Sequence, residues 1–131
     1  MGYKKVVMGW VEYQKLVELL AEKIISSKKK YNGIIAIPRG ALPIATSLSH
    51  ILNIKTIVFE IEKAEKNYLV VDDVSDKGNT LEKYKGYDIA CLCYKPQTKV
   101  MPDFWAKKYN DNEWIYFPWE IIGSKTTKDN Q

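Results

Sequence analysis

Four stretches of this chain are dominated by apolar side chains with little or no polar interruption. They are Ile34-Ile35-Ala36-Ile37, Lys55 to Ile61 (KTIVFEI), Tyr68-Leu69-Val70-Val71 and Asp88 to Tyr94 (DIACLCY). An unbroken apolar run suits a strand covered on both faces, as in a parallel sheet. Between them the period changes. Trp10 to Ile25 places Tyr13, Leu16, Val17, Leu20 and Ile24 on one stripe, the spacing of an amphipathic helix. Leu42 to Leu52 (LPIATSLSHIL) reads as a second helix, and Leu81 to about Lys85 as a short third one stopped by Gly86. Strands followed by loops and helices predict an α/β fold, with the strand-to-helix loops gathered on one edge of the sheet.

One connection breaks the rhythm. Only Glu62 to Asn67 separates the KTIVFEI run from the strand at Tyr68. A parallel crossover needs about a dozen residues. Either the third strand ends early, or it is an edge element running another way.

Composition adds bounds. A length of 131 residues suits one domain, and 46% hydrophobic residues mark a folded chain. No apolar run approaches a membrane span and MGYKKVVMGW lacks a signal-peptide core, so a cytoplasmic protein is expected. Cys91 and Cys93, with His50 as the only imidazole, do not make a zinc set and read as reduced core thiols. The net charge of +4 comes from lysines scattered among acids rather than from a basic face, which argues against a nucleic-acid binder. Among 20 basic side chains the only arginine is Arg39, whose planar fork grips phosphate in a way an ammonium does not.

The polar residues at the strand ends carry the chemistry. Tyr68–Val71 is expected to stop at Asp72 and Asp73, followed by Ser75-Asp76-Lys77-Gly78-Asn79-Thr80 leading into the short helix. Such a turn offers converging N–H groups and a helix dipole to a phosphate, with Gly78 supplying φ > 0 or close approach. The strand ending at Ile37 delivers Pro38-Arg39-Gly40-Ala41, and the strand ending at Tyr94 delivers Lys95-Pro96. Aromatics then crowd Val100-Met101-Pro102-Asp103-Phe104-Trp105 and Trp114-Ile115-Tyr116-Phe117-Pro118-Trp119-Glu120, after a turn expected from Lys107 to Glu113.

An apolar strand, two acids and D-x-G-x-T resemble the phosphoribosyl pyrophosphate (PRPP) motif of type I phosphoribosyltransferases. The R-G-A loop is similar to that family's pyrophosphate loop, and K-P, then P-D-F at Pro102 to Phe104, then W-I-x-F-P-W-E resemble the hood of its xanthine-guanine branch, in the same order along Trp10 to Glu120. The resemblance implies a mostly parallel central sheet flanked by helices, a small C-terminal hood over about residues 94–120, a shortened flexible loop at Glu62–Asn67, and a single domain over 1–120 with a polar tail at 121–131. It implies transfer of the phosphoribosyl group from PRPP to N9 of guanine, xanthine or hypoxanthine, with Mg²⁺ as cofactor. In that scheme Arg39, Gly40 and Ala41 hold pyrophosphate, and its loop can contain a cis peptide. Asp72 and Asp73 bind the ribose and, through water, the metal. Ser75, Asp76, Lys77, Gly78, Asn79 and Thr80 form the 5′-phosphate loop, with Asp76 as general base. Lys95 reads the purine O6, Trp114 stacks on the base and the Ile115 backbone reads its edge. The resemblance also fits a homodimer or higher homo-oligomer, with no nucleic acid or membrane as partner. A PRPP- or nucleotide-binding regulator without catalysis is the alternative that the short loop favours.

Overall fold

The computed structural model describes residues 2–120, so the expected tail at 121–131 lies outside the described residues. The chain opens with β1 (Lys4–Val7) and α1 (Trp10–Ser26), then β2 (Gly33–Ala36) and α2 (Leu42–Leu52). A two-residue β3 (Ile57–Val58) and a 3-10 turn (Ile61–Lys63) precede β4 (Tyr68–Ser75). A second 3-10 turn (Leu81–Tyr84), β5 (Asp88–Tyr94), β6 (Phe104–Lys108) and β7 (Glu113–Tyr116) complete it.

Five strands form one sheet in the order β3-β2-β4-β5-β6, and every neighbouring pair is parallel. The apolar runs are continuous because successive residues face different layers. Ile34, Ala36, Leu69 and Val71 join the core under α1 and α2, whereas Ile35, Tyr68 and Val70 face Leu81, Tyr84 and Val100. Both long helices therefore lie on one face. Among the described residues, the other face is covered by 3-10 turns and loops, which are enough because its apolar patch is small. Gly33 begins β2 because a Cβ there would stand 2.5 Å from the Tyr68 ring on the neighbouring strand.

One alternative that the sequence leaves open is settled, and four expectations need correction. The third strand ends early, at Val58, and runs parallel to β2 at the sheet edge, so residues 59–67 carry the chain across β2 to β4. β4 does not stop at Asp72: it pairs with β5 as far as Ser75↔Tyr94. The expected third helix is a 3-10 turn of four residues, too short to contribute much dipole. The hood is not purely C-terminal, because β7 pairs in parallel with β1, placing Lys5 opposite Trp114 and Val6 opposite Ile115. Lys107, expected in a turn, lies in β6 opposite Cys93. The hood aromatics Trp114, Tyr116 and Phe117 are buried, while Tyr3, Val7, Trp10 and Val11 are exposed.

Candidate active site

The site forms where β4 outruns its neighbour. β2 ends opposite Val71, so Asp72 to Ser75 keep a strand partner only on the β5 side. The loop after β2 fills the gap. A Cβ added at Gly40 would collide with the Asp73 carboxylate, so glycine at this position is what lets the Arg39 loop lie against β4. The Pro38–Arg39 peptide bond is cis. Arg39 is exposed and makes no side-chain hydrogen bond or ion pair among the described residues. The N–H of Ala41 is already donated to the Ile37 carbonyl at 3.3 Å, whereas that of Gly40 has no acceptor among the described residues. Of the two amides expected to meet pyrophosphate, Gly40 has the available one.

The two carboxylates beside this loop have no cation partner among the described residues. Asp72 is 8% exposed and accepts the Asp73 N–H at 2.8 Å, while Asp73 accepts the Val74 N–H at 2.7 Å. Burial, and then the neighbouring Asp73 charge, push the Asp72 carboxyl well above its usual range; burial also raises Asp73. Adjacent anions held out of water are a site that gains from hydroxyl donors or a cation.

Beyond β4, the N–H groups of Lys77 to Thr80 have no acceptor among the described residues, and Gly78 has φ +87°. These four amides, rather than a helix dipole, are the donors this loop could offer to an anion. Gly78 makes its close approach to another segment: a Cβ would stand 2.7 Å from Thr98 Oγ1 and 2.9 Å from Lys99 N. Ser75 is turned the same way. Its hydroxyl donates to the Val100 carbonyl at 2.8 Å and pairs with Thr98 Oγ1 at 2.6 Å, so it braces the 95–100 loop instead of facing the phosphate loop. The Asn79 side chain is likewise engaged, accepting from Lys99 Nζ at 2.8 Å.

That bracing presents Lys95. Its N–H donates to the Ser75 carbonyl at 2.9 Å, and its ammonium meets Asp76 Oδ2 at 3.1 Å. Lys95 is 1% exposed and Asp76 9%, a buried ion pair. Gln97 Nε2 donates to the other Asp76 oxygen. Trp114 lies 5.5 Å from the ammonium, and Tyr3 packs on Trp114. Sequence reasoning had not selected Tyr3, Gln97 or Thr98. A polar residue two or three positions after Lys95 was the available signal for the last two; Tyr3 carried none.

Elsewhere, Cys91 and Cys93 are buried, unpaired and pushed up by burial, which leaves them inert. His50 is exposed at the end of α2, away from these groups. A groove along α1 lined by Leu19, Glu22, Lys23, Ile25 and Ser26 has no convergent chemistry, since Lys23 Nζ is spent on the Trp105 carbonyl at 2.6 Å. No group of three or more His, Cys, Asp or Glu among the described residues is arranged to hold a metal. No helix among them is long and apolar enough to cross a membrane.

Comparison with known proteins gives the same direction. The phosphoribosyl transferase domain family matches residues 58–121. A xanthine-guanine phosphoribosyltransferase of Idiomarina loihiensis is 27% identical, covering 87% of this chain and 86% of that protein. The crystal structure of a purine phosphoribosyltransferase from Pyrococcus horikoshii superposes with TM-score 0.80 at 32% identity, covering 92% of this chain and 97% of that one. A xanthine-guanine-hypoxanthine phosphoribosyltransferase of Helicobacter pylori shares the fold, with TM-score 0.78 at 21% identity over 97% and 99% of the two chains.

Proposed function

Because this chain belongs to the type I phosphoribosyltransferase family and is an enzyme of that class, we propose that it transfers the 5-phosphoribosyl group of PRPP to N9 of a 6-oxopurine. The products are a nucleoside 5′-monophosphate and pyrophosphate. The observation that carries this reading is the buried Asp76–Lys95 pair beside Trp114, on the same sheet edge as Asp72, Asp73 and the Arg39 loop.

Each group has a task in the reaction. The Lys95 ammonium donates to the purine O6; adenine presents an amino group there, and donor against donor leaves both unpaired. Asp76 receives the proton that the imidazole edge releases as N9 forms its bond. Trp114 stacks on the base, and the Ile115 backbone meets its edge. At the other end Arg39 and the Gly40 N–H hold the leaving pyrophosphate, and the amides of Lys77 to Thr80 hold the 5′-phosphate. Asp72 and Asp73 accept the ribose hydroxyls, fixing the sugar while C1′ becomes cationic. Asp72 and Asp73, two carboxylates without a third ligand among the described residues, would hold Mg²⁺ through water, together with PRPP. When bound, the ion neutralises charge on the departing diphosphate. The exposed Val7, Trp10 and Val11 support self-association of the protein.

The test is product identity. Incubation with PRPP, Mg²⁺ and each of guanine, xanthine, hypoxanthine and adenine, followed by chromatography of the nucleotides, is expected to give monophosphates from at least one 6-oxopurine and none from adenine. Formation of AMP at a rate equal to the best 6-oxopurine product would refute the assignment of Lys95.

A further inference from the structure

The loop after β5 hands two donors to one carboxylate. Lys95 to Thr98 closes as a turn: the Thr98 N–H donates to the Lys95 carbonyl at 3.1 Å, and Pro96 takes the second position, where its fixed φ favours the bend. The side chains on either side of Pro96 reach the same group. The Lys95 ammonium bonds Asp76 Oδ2 at 3.1 Å, and Gln97 Nε2 donates to Asp76 Oδ1. Asp76 is 9% exposed, so these two donors stand in place of most of its water. The turn is itself anchored, because the Gln97 N–H donates at 3.0 Å to Oδ1 of Asp111, just before β7 and its Trp114. Gln97 thus joins the carboxylate, the Lys95 loop and the approach to Trp114.

An aspartate held at one oxygen still turns about its last side-chain bond, because that torsion is broad. A donor at each oxygen fixes the plane. Each carboxylate oxygen has two acceptor sites, so one protein donor per oxygen leaves a second site open in a set direction. A second ammonium in place of Gln97 would orient the group equally well but oppose its uptake of a proton, which a neutral amide does not. We propose that Gln97 is a positioning residue for the transfer step, fixing the Asp76 carboxylate so that an open acceptor site meets the imidazole edge of the bound purine. The inference rests on the reading of Asp76 as proton acceptor given above. In that step the N9 electron pair forms the bond to C1′, pyrophosphate departs with the C1′–O pair, and the imidazole proton passes to Asp76. Gln97 acts through Asp76 and needs no contact with the purine. Its loss therefore slows the reaction of a bound base without loosening the base, which Lys95 and Trp114 hold.

The experiment measures single-turnover nucleotide formation, with enzyme in excess over guanine, xanthine or hypoxanthine and Mg²⁺-PRPP saturating, in wild type, Gln97→Met and Gln97→Glu. A single turnover reads the chemical step free of product release. Calorimetric titration of the corresponding monophosphates GMP, XMP and IMP reads binding by the same proteins. Gln97→Met, which keeps the length and removes the donor, is expected to slow the step on the order of ten-fold. Gln97→Glu sets carboxylate against carboxylate and should slow it further, on the order of a hundred-fold. Nucleotide affinity in Gln97→Met should stay within about three-fold of wild type. Gln97 is exposed, so both variants are expected to fold, and Gln97→Ala replaces Gln97→Met if the methionine disrupts the turn. A wild-type rate in Gln97→Met, with Asp76→Asn inactive, would overturn the proposal and leave Asp76 as proton acceptor. A loss of affinity as large as the loss of rate would also overturn it, since that marks a pocket that has lost its shape. A wild-type rate in Asp76→Asn would remove the reading of Asp76, and this proposal with it.

Discussion

Lys95→Met probes the buried pair on which the purine assignment depends. The Lys95–Asp76 contact is 3.1 Å, with side-chain exposures of 1% and 10%. At an effective dielectric near 20 the Coulomb attraction is about 5 kcal/mol, most of it offset by desolvation of the two ions. Removing one partner is different: it leaves Asp76 buried without a counter-charge, a change that costs about 3–5 kcal/mol. Gln97 still donates to Asp76, which points to the lower end of that range. For a chain of this length, about 3 kcal/mol corresponds to a fall in Tm of roughly 10–15 °C. Thermal unfolding followed by circular dichroism at pH 7 reads this directly. The double variant Lys95→Met/Asp76→Leu is expected to recover at least half of the loss, because it removes both ions together. Both variants should lose the preference for 6-oxopurines, so stability and selectivity separate in the double variant. A single variant within about 1 kcal/mol of wild type would refute the reasoning, since a desolvated pair cannot be broken so cheaply.

Asp72→Asn is expected to stabilise the free protein at pH 7 while weakening PRPP binding. Burial and the Asp73 charge raise the folded-state pKa of Asp72, so its favourable contribution is complete below the unfolded value and is lost as pH rises through the raised one. The variant's advantage in Tm should accordingly shrink as pH is lowered toward the ordinary carboxylate range; a lower Tm than wild type at pH 7 would contradict this. Gly40→Ala drives a Cβ into the Asp73 carboxylate and displaces the pyrophosphate loop. PRPP affinity should fall roughly ten- to a hundred-fold, and titration showing no change would place pyrophosphate elsewhere.

Much of this architecture is legible in the residues, and the exceptions have physical causes. Ile34–Ile37, Tyr68–Val71 and Asp88–Tyr94 stand out because interior parallel strands need apolar residues on both faces. The stripe from Tyr13 to Ile24 needs only a 3.6-residue period. β1 and β7 escape notice because each is stable only through the other, more than a hundred positions away in the register Lys4↔Glu113. β6 alternates Phe104 and Ala106 with half-exposed or lysine-bearing positions and lies at a sheet edge. β4 runs on through Asp72 and Asp73, residues with poor strand propensity, because the β5 ladder continues beside it. The loops at Arg39, Asp72 and Lys95 could be placed on one edge from strand order alone. That Asp76 turns toward Lys95, that Ser75 turns away from the phosphate loop, and that Tyr3 covers Trp114 are long-range packing outcomes with no local signature.

The most direct measurement is the rate of pyrophosphate release from Mg²⁺-PRPP with and without a 6-oxopurine, in wild type and in Asp76→Asn. The account predicts release that depends on the base, in step with nucleotide formation, and that is lost in the variant. Release at the same rate without any base would contradict it: residues 59–67 would then leave the sugar open to water, and the pocket at Asp76, Lys95 and Trp114 would have no part in the reaction.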